Sequence, residues 1–259
     1  NDNVDYATTM HNLSLCFYDN NKKNEAIEYG EKAHDILVKY KNNPNLIKCL
    51  TNLSNCYLET NQYALAIKRG EEARLLMVNL SDMNSDEYAS CLSTLAYSYF
   101  ANNELDIAIK YQEEALHISR NNNNINDIIE SLSHFGRYSY DKEQYDDAIG
   151  YYEEAVNLRD NINRIKNPNY YNDLFYLSRS YLNLGDYSKA IIAAEKYVTG
   201  VKKIYGKNTT QYVNAIENLS SCYEDIGNLD KGTLYINEAL NVYDSLKIEN
   251  PNRYAITLS

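Results

Sequence analysis

Apolar residues return along the chain at helical spacing. Leu92, Leu95 and Tyr99 stand at i, i+3 and i+7 with Ala96 between them, and this stretch is followed by Leu105, Ile107, Ala108, Ile109, Ala115 and Leu116. That spacing predicts two amphipathic helices folded back on each other and excludes strand alternation. The unit repeats. Aligned on the residue before the small residue of the first helix, the copies fall at Leu13, Leu53, Leu95, Phe135, Leu177 and Leu219, in steps of 40, 42, 40, 42 and 42 residues. A fixed period of this length marks a stacked-repeat architecture.

The shared positions have physical reasons. The small residue is Ser14, Ser54, Ala96, Gly136, Ser178 or Ser220, and thirteen residues past the anchor stands Ala26, Ala66, Ala108, Ala148, Ala190 or Gly232. Seven further on stands Ala33, Ala73, Ala115, Ala155, Tyr197 or Ala239. Helices approach closely only where facing side chains are small. An aromatic fills the space beside them at Phe17, Tyr57, Tyr99, Tyr181 and Tyr223, with Ser139 as the exception. Between the helices of each pair stands Asn21, Asn61, Asn103, Gly185 or Gly227, residue types that tolerate the left-handed conformation ending a helix. Glu143 departs from this in the fourth copy.

This ladder of small residue, aromatic, Ala and Ala resembles the tetratricopeptide repeat (TPR) family, in the 40–42-residue form found in kinesin light chains and many bacterial proteins. The Asn-Leu pairs at 12–13, 52–53 and 218–219 and the Tyr-Ala helix starts at 6–7, 88–89 and 254–255 carry the same resemblance. It implies an all-α, right-handed superhelical solenoid of antiparallel helix pairs. The expected copies are about 6–45, 46–87, 88–127, 128–169, 170–211 and 212–253, read as one array, with the start of a seventh at 254–259. Asn42-Asn43-Pro44, Asn167-Pro168 and Asn250-Pro251 are links, since Pro forces the residue before it out of the helix. Asn121–Asn124 reads as a solvated loop. Both ends lack the polar capping face usual for terminal repeats, so the chain reads as a segment of a larger protein.

Composition adjusts this picture. The chain has 259 residues, a formal net charge of −11, 27 Tyr, no Trp, 9 Gly and 3 Pro. Acidic balance disfavours nucleic acid, whose binding needs a basic face, and disfavours an anionic membrane surface. No apolar run reaches the roughly 20 residues of a membrane span. The five cysteines are odd in number and form no C-x-x-C; Cys16, Cys56 and Cys222 share one helix position. They read as reduced packing groups in a cytoplasmic compartment. Most Tyr read as packing residues.

Catalytic signatures are absent: no H-E-x-x-H, G-x-S-x-G, P-loop or G-x-G-x-x-G occurs. The four His show no metal-ligand spacing, and His34 and His117 read as surface. The carboxylate pairs Glu71-Glu72, Glu113-Glu114 and Glu153-Glu154 recur with the repeat and read as a solvated helix face. The sequence therefore indicates no enzyme, no metal and no cofactor.

The resemblance implies that first helices line a concave groove that takes an extended peptide or a helix of a partner protein. Groove positions fall one and two residues before the anchor and two after. The candidates are His11, Asn12, Asn52, Asn55, Tyr97, His134, Arg137, Phe175, Tyr176, Arg179 and Asn218. Amides of Asn12, Asn52 and Asn218 offer donors and an acceptor to a peptide backbone, or form a polar ladder that fixes helix register. Arg137 and Arg179 fork onto a ligand carboxylate, or pair with a neighbouring helix. Tyr97, Phe175 and Tyr176 are aromatic anchors. The carboxylate clamp of some family members needs Lys where this chain has His11, Thr51 and Ser93. The leading reading is a protein-binding module. The alternatives are a regulatory arm for other domains of a parent chain, such as a caspase-like protease or histidine kinase, and an architectural spacer.

Overall fold

The computed structural model describes residues 3–40, 43–162 and 167–246. Twelve α-helices and no strand occur among them: α1 (Val4–Asp19), α2 (Lys23–Leu37), α3 (Pro44–Glu59), α4 (Tyr63–Asn79), α5 (Asp86–Ala101), α6 (Leu105–Asn121), α7 (Ile125–Asp141), α8 (Tyr145–Asn161), α9 (Pro168–Asn183), α10 (Tyr187–Tyr205), α11 (Thr210–Asp225) and α12 (Leu229–Leu246). Odd-numbered helices are the first of each repeat and even-numbered helices the second. The chain divides within α7 into two compact units, one ending at His134 and the other starting at Phe135. The expected seventh repeat and Asn250-Pro251 lie outside the described residues.

Each turn inside a pair is built alike. Asn21, Asn61, Asn103, Gly185 and Gly227 all have positive φ, and Glu143 adopts φ +60° without the residue type that favours it. The next amide reaches back over that residue to the same helical carbonyl: Lys22 to Phe17 at 2.9 Å, Gln62 to Tyr57 at 2.8 Å and Gln144 to Ser139 at 2.9 Å. This closure satisfies carbonyls that the helix end leaves open.

The prolines act differently from the expectation. Asn43 and Asn167 are extended, as the residue before Pro must be, but Pro44 and Pro168 open α3 and α9 instead of merely closing the helices before them. Pro lacks an N–H that the first helical turn cannot use anyway, so this position suits it. The Asn121–Asn124 run is a solvated turn, exposed at Asn121, Asn122 and Asn123, with polar ties of its own. Asn121 ends α6, the Asn122 amide donates to Asp86 at 2.8 Å, and Asn124 caps the start of α7 by accepting from the Asp127 N–H at 3.3 Å. The helix thus begins three residues before the expected Ile128.

In the unit ending at His134, Leu37, Leu50, Leu53, Leu92 and Leu95 are fully buried with Ala33, Ala73 and Ala115. In the unit starting at Phe135, Tyr152, Tyr171, Leu174, Tyr197, Ile216 and Tyr223 form the core. The small-residue position has a hydrogen-bonding role besides its size. Ser14, Ser54, Ser178 and Ser220 donate to the carbonyls of Ala26, Ala66, Ala190 and Gly232, at 2.6, 2.8, 3.1 and 2.9 Å, and so latch first helix to second.

A second ladder joins successive repeats and adds a role to two of the carboxylate pairs, whose residues 153 and 154 stay exposed as expected. The Tyr57 hydroxyl donates to Glu31 at 2.8 Å, Tyr99 to Glu71 at 3.2 Å, Tyr223 to Glu195 at 3.2 Å, and Tyr181 to Glu153. Burial first, and then the carboxylate acceptor, pushes the Tyr57 hydroxyl up to about 12. Glu71 and Glu153, each the first of its pair, are therefore acceptors between repeats, while Glu113 and Glu114 are exposed. His34, too, is not a free surface group. Its ring lies between Glu31, Asp35, Glu72 and Arg69, with a side chain 13 % exposed.

Candidate functional site

In the unit ending at His134, first helices frame a groove. A cavity of about 590 Å³ is lined by His11, Leu15, Tyr18 and Asp19 of α1, Ile47, Lys48, Thr51, Asn52 and Asn55 of α3, Met77 of α4, Asp86, Glu87 and Ser90 of α5, and Asp127 of α7. A smaller one of about 230 Å³, lined by Ser93, Thr94, Tyr97, Glu130 and His134, shares Ser90 and Asp127 with it.

The structure sorts the candidates here into three kinds. Asn12 is exposed, with no Ser of another repeat beside it among the described residues. Asn52 occupies the same repeat position but is 6 % exposed and donates to the Ser14 hydroxyl at 2.8 Å. An Asn–Ser–carbonyl chain thus runs from α3 through α1 to α2. Asn55 accepts from Thr94 at 3.1 Å and remains half-buried on the groove wall. Tyr97 is 37 % exposed and stacks on His134 with ring centroids 5.2 Å apart. His11 is 5 % exposed, and its Nδ1 has no partner among the described residues. Burial, and then the charge of Lys48, lowers its pKa.

Gln112 was not among the candidates, yet it organises the smaller cavity from beneath. Fully buried, it donates to Ser131 at 2.9 Å and Ser93 at 3.2 Å, and its Oε1 lies 3.0 Å from His134 Nδ1. The last contact requires the tautomer protonated at Nδ1. Its sequence signal is a polar residue where the first two copies carry Gly30 and Gly70. Asp86, Glu87 and Asp127 also escaped the position rule, because they lie near helix starts, several residues before the anchor.

In the unit starting at Phe135, Arg137 donates to Asp141 at 2.9 Å and to the Tyr176 hydroxyl, with its guanidinium 4.7 Å above the Tyr176 ring. Tyr176 stacks in turn on Tyr152 at 5.9 Å and meets Phe175 edge-on at 5.1 Å. Arg179 donates to Ser221 at 3.3 Å. Asn218 is 5 % exposed and donates to Ser178 at 3.2 Å, repeating the Asn52 arrangement. Arg137 and Arg179 are both half-buried and turned toward groups of this unit.

Among the described residues, Glu31, His34 and Asp35 bring three possible metal-ligand atoms within 4.8 Å of one another. Arg69 binds Glu31 there at 2.6 Å and Glu72 at 2.9 Å, so a cation of the chain already neutralises that cluster. No helix among the described residues is long and apolar enough to cross a membrane.

Comparison with known proteins agrees with this fold. Tetratricopeptide repeat family models match residues 5–77, 89–127 and 174–199, together more than half of the chain. Over 69 residues the chain is 33 % identical to response regulator aspartate phosphatase E of Bacillus subtilis (strain 168), a match covering 27 % of this chain and 18 % of that protein. The chain therefore matches less than a fifth of the length of that curated relative. Among solved structures, a signal transduction ATPase with numerous domains and a tetratricopeptide repeat sensor, from Pyrococcus horikoshii, has a TM-score of 0.76 at 18 % identity, covering 92 % of this chain and 36 % of its own. A Rap protein complexed with competence and sporulation factor has a TM-score of 0.65 at 12 % identity, covering 92 % of this chain and 75 % of its own. At such identities the likeness is one of fold. The repeat period, the helix pairs with their shared turns and latches, and the matching family models make this chain a member of the tetratricopeptide repeat family.

Proposed function

We propose that this chain is a protein-binding module, which holds a peptide or helix of a partner protein on its first-helix face. The observation that carries the reading is the groove of the unit ending at His134, where Asn55 lines a depression of about 590 Å³ and the stacked Tyr97 and His134 line the adjoining one of about 230 Å³. Stacked aromatic rings supply contact area at low entropic cost. A Rap protein of the same fold complexed with competence and sporulation factor supports the reading. In the other unit, Phe175, Tyr176, Arg137 and Arg179 are a further candidate surface, on which guanidinium groups would meet a ligand carboxylate. Reduced, mostly buried thiols fit a cytoplasmic setting.

The test is capture from lysate of the source cell, read by mass spectrometry, with wild type and two variants. Asn55→Ala with Tyr97→Ala removes groove contacts of the first unit; Arg137→Glu with Arg179→Glu reverses charge in the second. A protein held by wild type and lost from one variant locates the site in that unit. Equal capture by all three sinks the reading.

A second reading is a sensor arm of a larger protein. It is favoured by the Pyrococcus horikoshii ATPase, whose tetratricopeptide repeats are described as a sensor and of which this fold covers 36 %. The full-length reading frame decides it: a stop codon directly after Ser259 removes the idea.

A further inference from the structure

We infer that the groove of the unit ending at His134 takes a basic segment, an extended stretch of polypeptide with lysine or arginine side chains beside aliphatic ones. The inference rests on the binding-module reading and names its ligand class.

Charge is the first argument. Asp19, Asp86, Glu87 and Asp127 line the larger cavity against a single cation, Lys48, and Glu130 lines the smaller one. Among the described residues Asp86, Glu87 and Asp127 enter no ion pair; Asp86 and Asp127 accept only neutral amides, from Asn122 at 2.8 Å and Asn124 at 3.0 Å. Their mutual repulsion is felt: burial first, then Asp86, then Glu130, holds the Asp127 carboxyl above its ordinary range. A cation placed between these groups relieves that repulsion in a setting partly shielded from water.

Repeat position is the second argument. Glu87 and Asp127 hold the same place in consecutive copies, so successive first helices present carboxylates to one cavity. The same place carries Asn169 and Gln211 in the other unit. Acidity at this position therefore belongs to one groove and is not a general feature of the fold.

The third argument is independent of charge. His11 lines this cavity with a side chain 95 % buried by position and an Nδ1 that has no partner among the described residues. A buried polar atom without a partner costs stability, and a ligand N–H supplies one. Leu15, Ile47 and Met77 add the apolar surface that aliphatic side chains of such a segment would cover.

The test pans a display library of random dodecapeptides on the full chain. The best binder is then made with a fluorescent label and titrated against variants by anisotropy. The expected result is enrichment of lysine and arginine, binding about tenfold weaker to Asp86→Asn with Asp127→Asn, and about threefold tighter to Lys48→Glu. Asn keeps an acceptor oxygen for both amide contacts, and Lys48→Glu acts by gain, so failure to fold cannot imitate the result. Neutral or acidic binders that Tyr97→Ala loses and the Asp variants keep would overturn the basic ligand and leave the binding module standing. Basic binders indifferent to all these variants would overturn the site. An unenriched library would overturn both readings.

Discussion

Glu143 shows how much a single backbone angle can be set by its surroundings. The sequence suggests a departure from the turn rule, yet the residue takes the same left-handed φ as Asn and Gly in the other copies. An L-residue with a long side chain pays for that conformation with about 1–2 kcal/mol. Glu143→Asn is therefore expected to raise stability by about 0.5–1 kcal/mol, read as a higher urea midpoint with unchanged slope. His11 makes a second prediction at this scale. Its pKa is lowered in the folded chain, so the unfolded chain binds a proton more readily. Stability is complete above the unfolded value of 6.5 and is lost as pH falls from there through the folded value. The slope contributed is at most about 1.4 kcal/mol per pH unit. Urea unfolding of His11→Gln between pH 7 and 5 should lack it, and an unchanged slope would refute the assignment.

Among elements, the first helices show what periodicity reveals and what it hides. Asn12, Asn52 and Asn218 share one sequence position, and among the described residues Asn52 and Asn218 bond a Ser of the preceding repeat while Asn12 is exposed. Asn52→Ala should cost about 1–2 kcal/mol by losing a buried hydrogen bond, and Asn12→Ala should stay within about 0.5 kcal/mol. Equal effects in urea unfolding would show that the ladder between α1 and α3 contributes nothing. The helix pairs, their turns and the small-residue seam were legible because packing repeats with the period. The acidic groove was not, since Asp127 sits at a helix start and its neighbours come from other copies. Gly136 is intelligible only with Tyr152: a Cβ there would meet the Tyr152 ring at 2.7 Å, while at the position of Tyr152 the first copies carry Gly30 and Gly70. Bulk has moved from one helix to the other, and no single position reveals that.

Over the whole molecule, the cysteines give each unit an internal reporter. Cys16 is exposed; Cys49, Cys56 and Cys91 are buried in the first unit and Cys222 in the second. Burial pushes the Cys49, Cys56 and Cys91 thiols up to about 12. DTNB is expected to react quickly with one thiol per native chain and with all five in guanidinium, with peptide mapping placing the fast one at Cys16. Fast labelling of Cys91 would mean that its repeat opens in the native state.

The buried ion pair of the second unit bears on how the repeats descend from one another. Arg159 and Asp173 meet at 3.0 Å with side chains 2 and 3 % exposed. The corresponding places elsewhere hold the uncharged pairs Leu37 and Cys49, Met77 and Cys91, Ser119 and Ser131, or Val201 and Ala215. A charge buried without its mate is far more costly than an apolar mismatch. Recombination between similar gene segments can duplicate or delete a whole copy, but any event that parts α8 from α9 strands a charge inside the protein. The two copies that share this junction are therefore not interchangeable with the others, and their order is fixed by one pair of side chains.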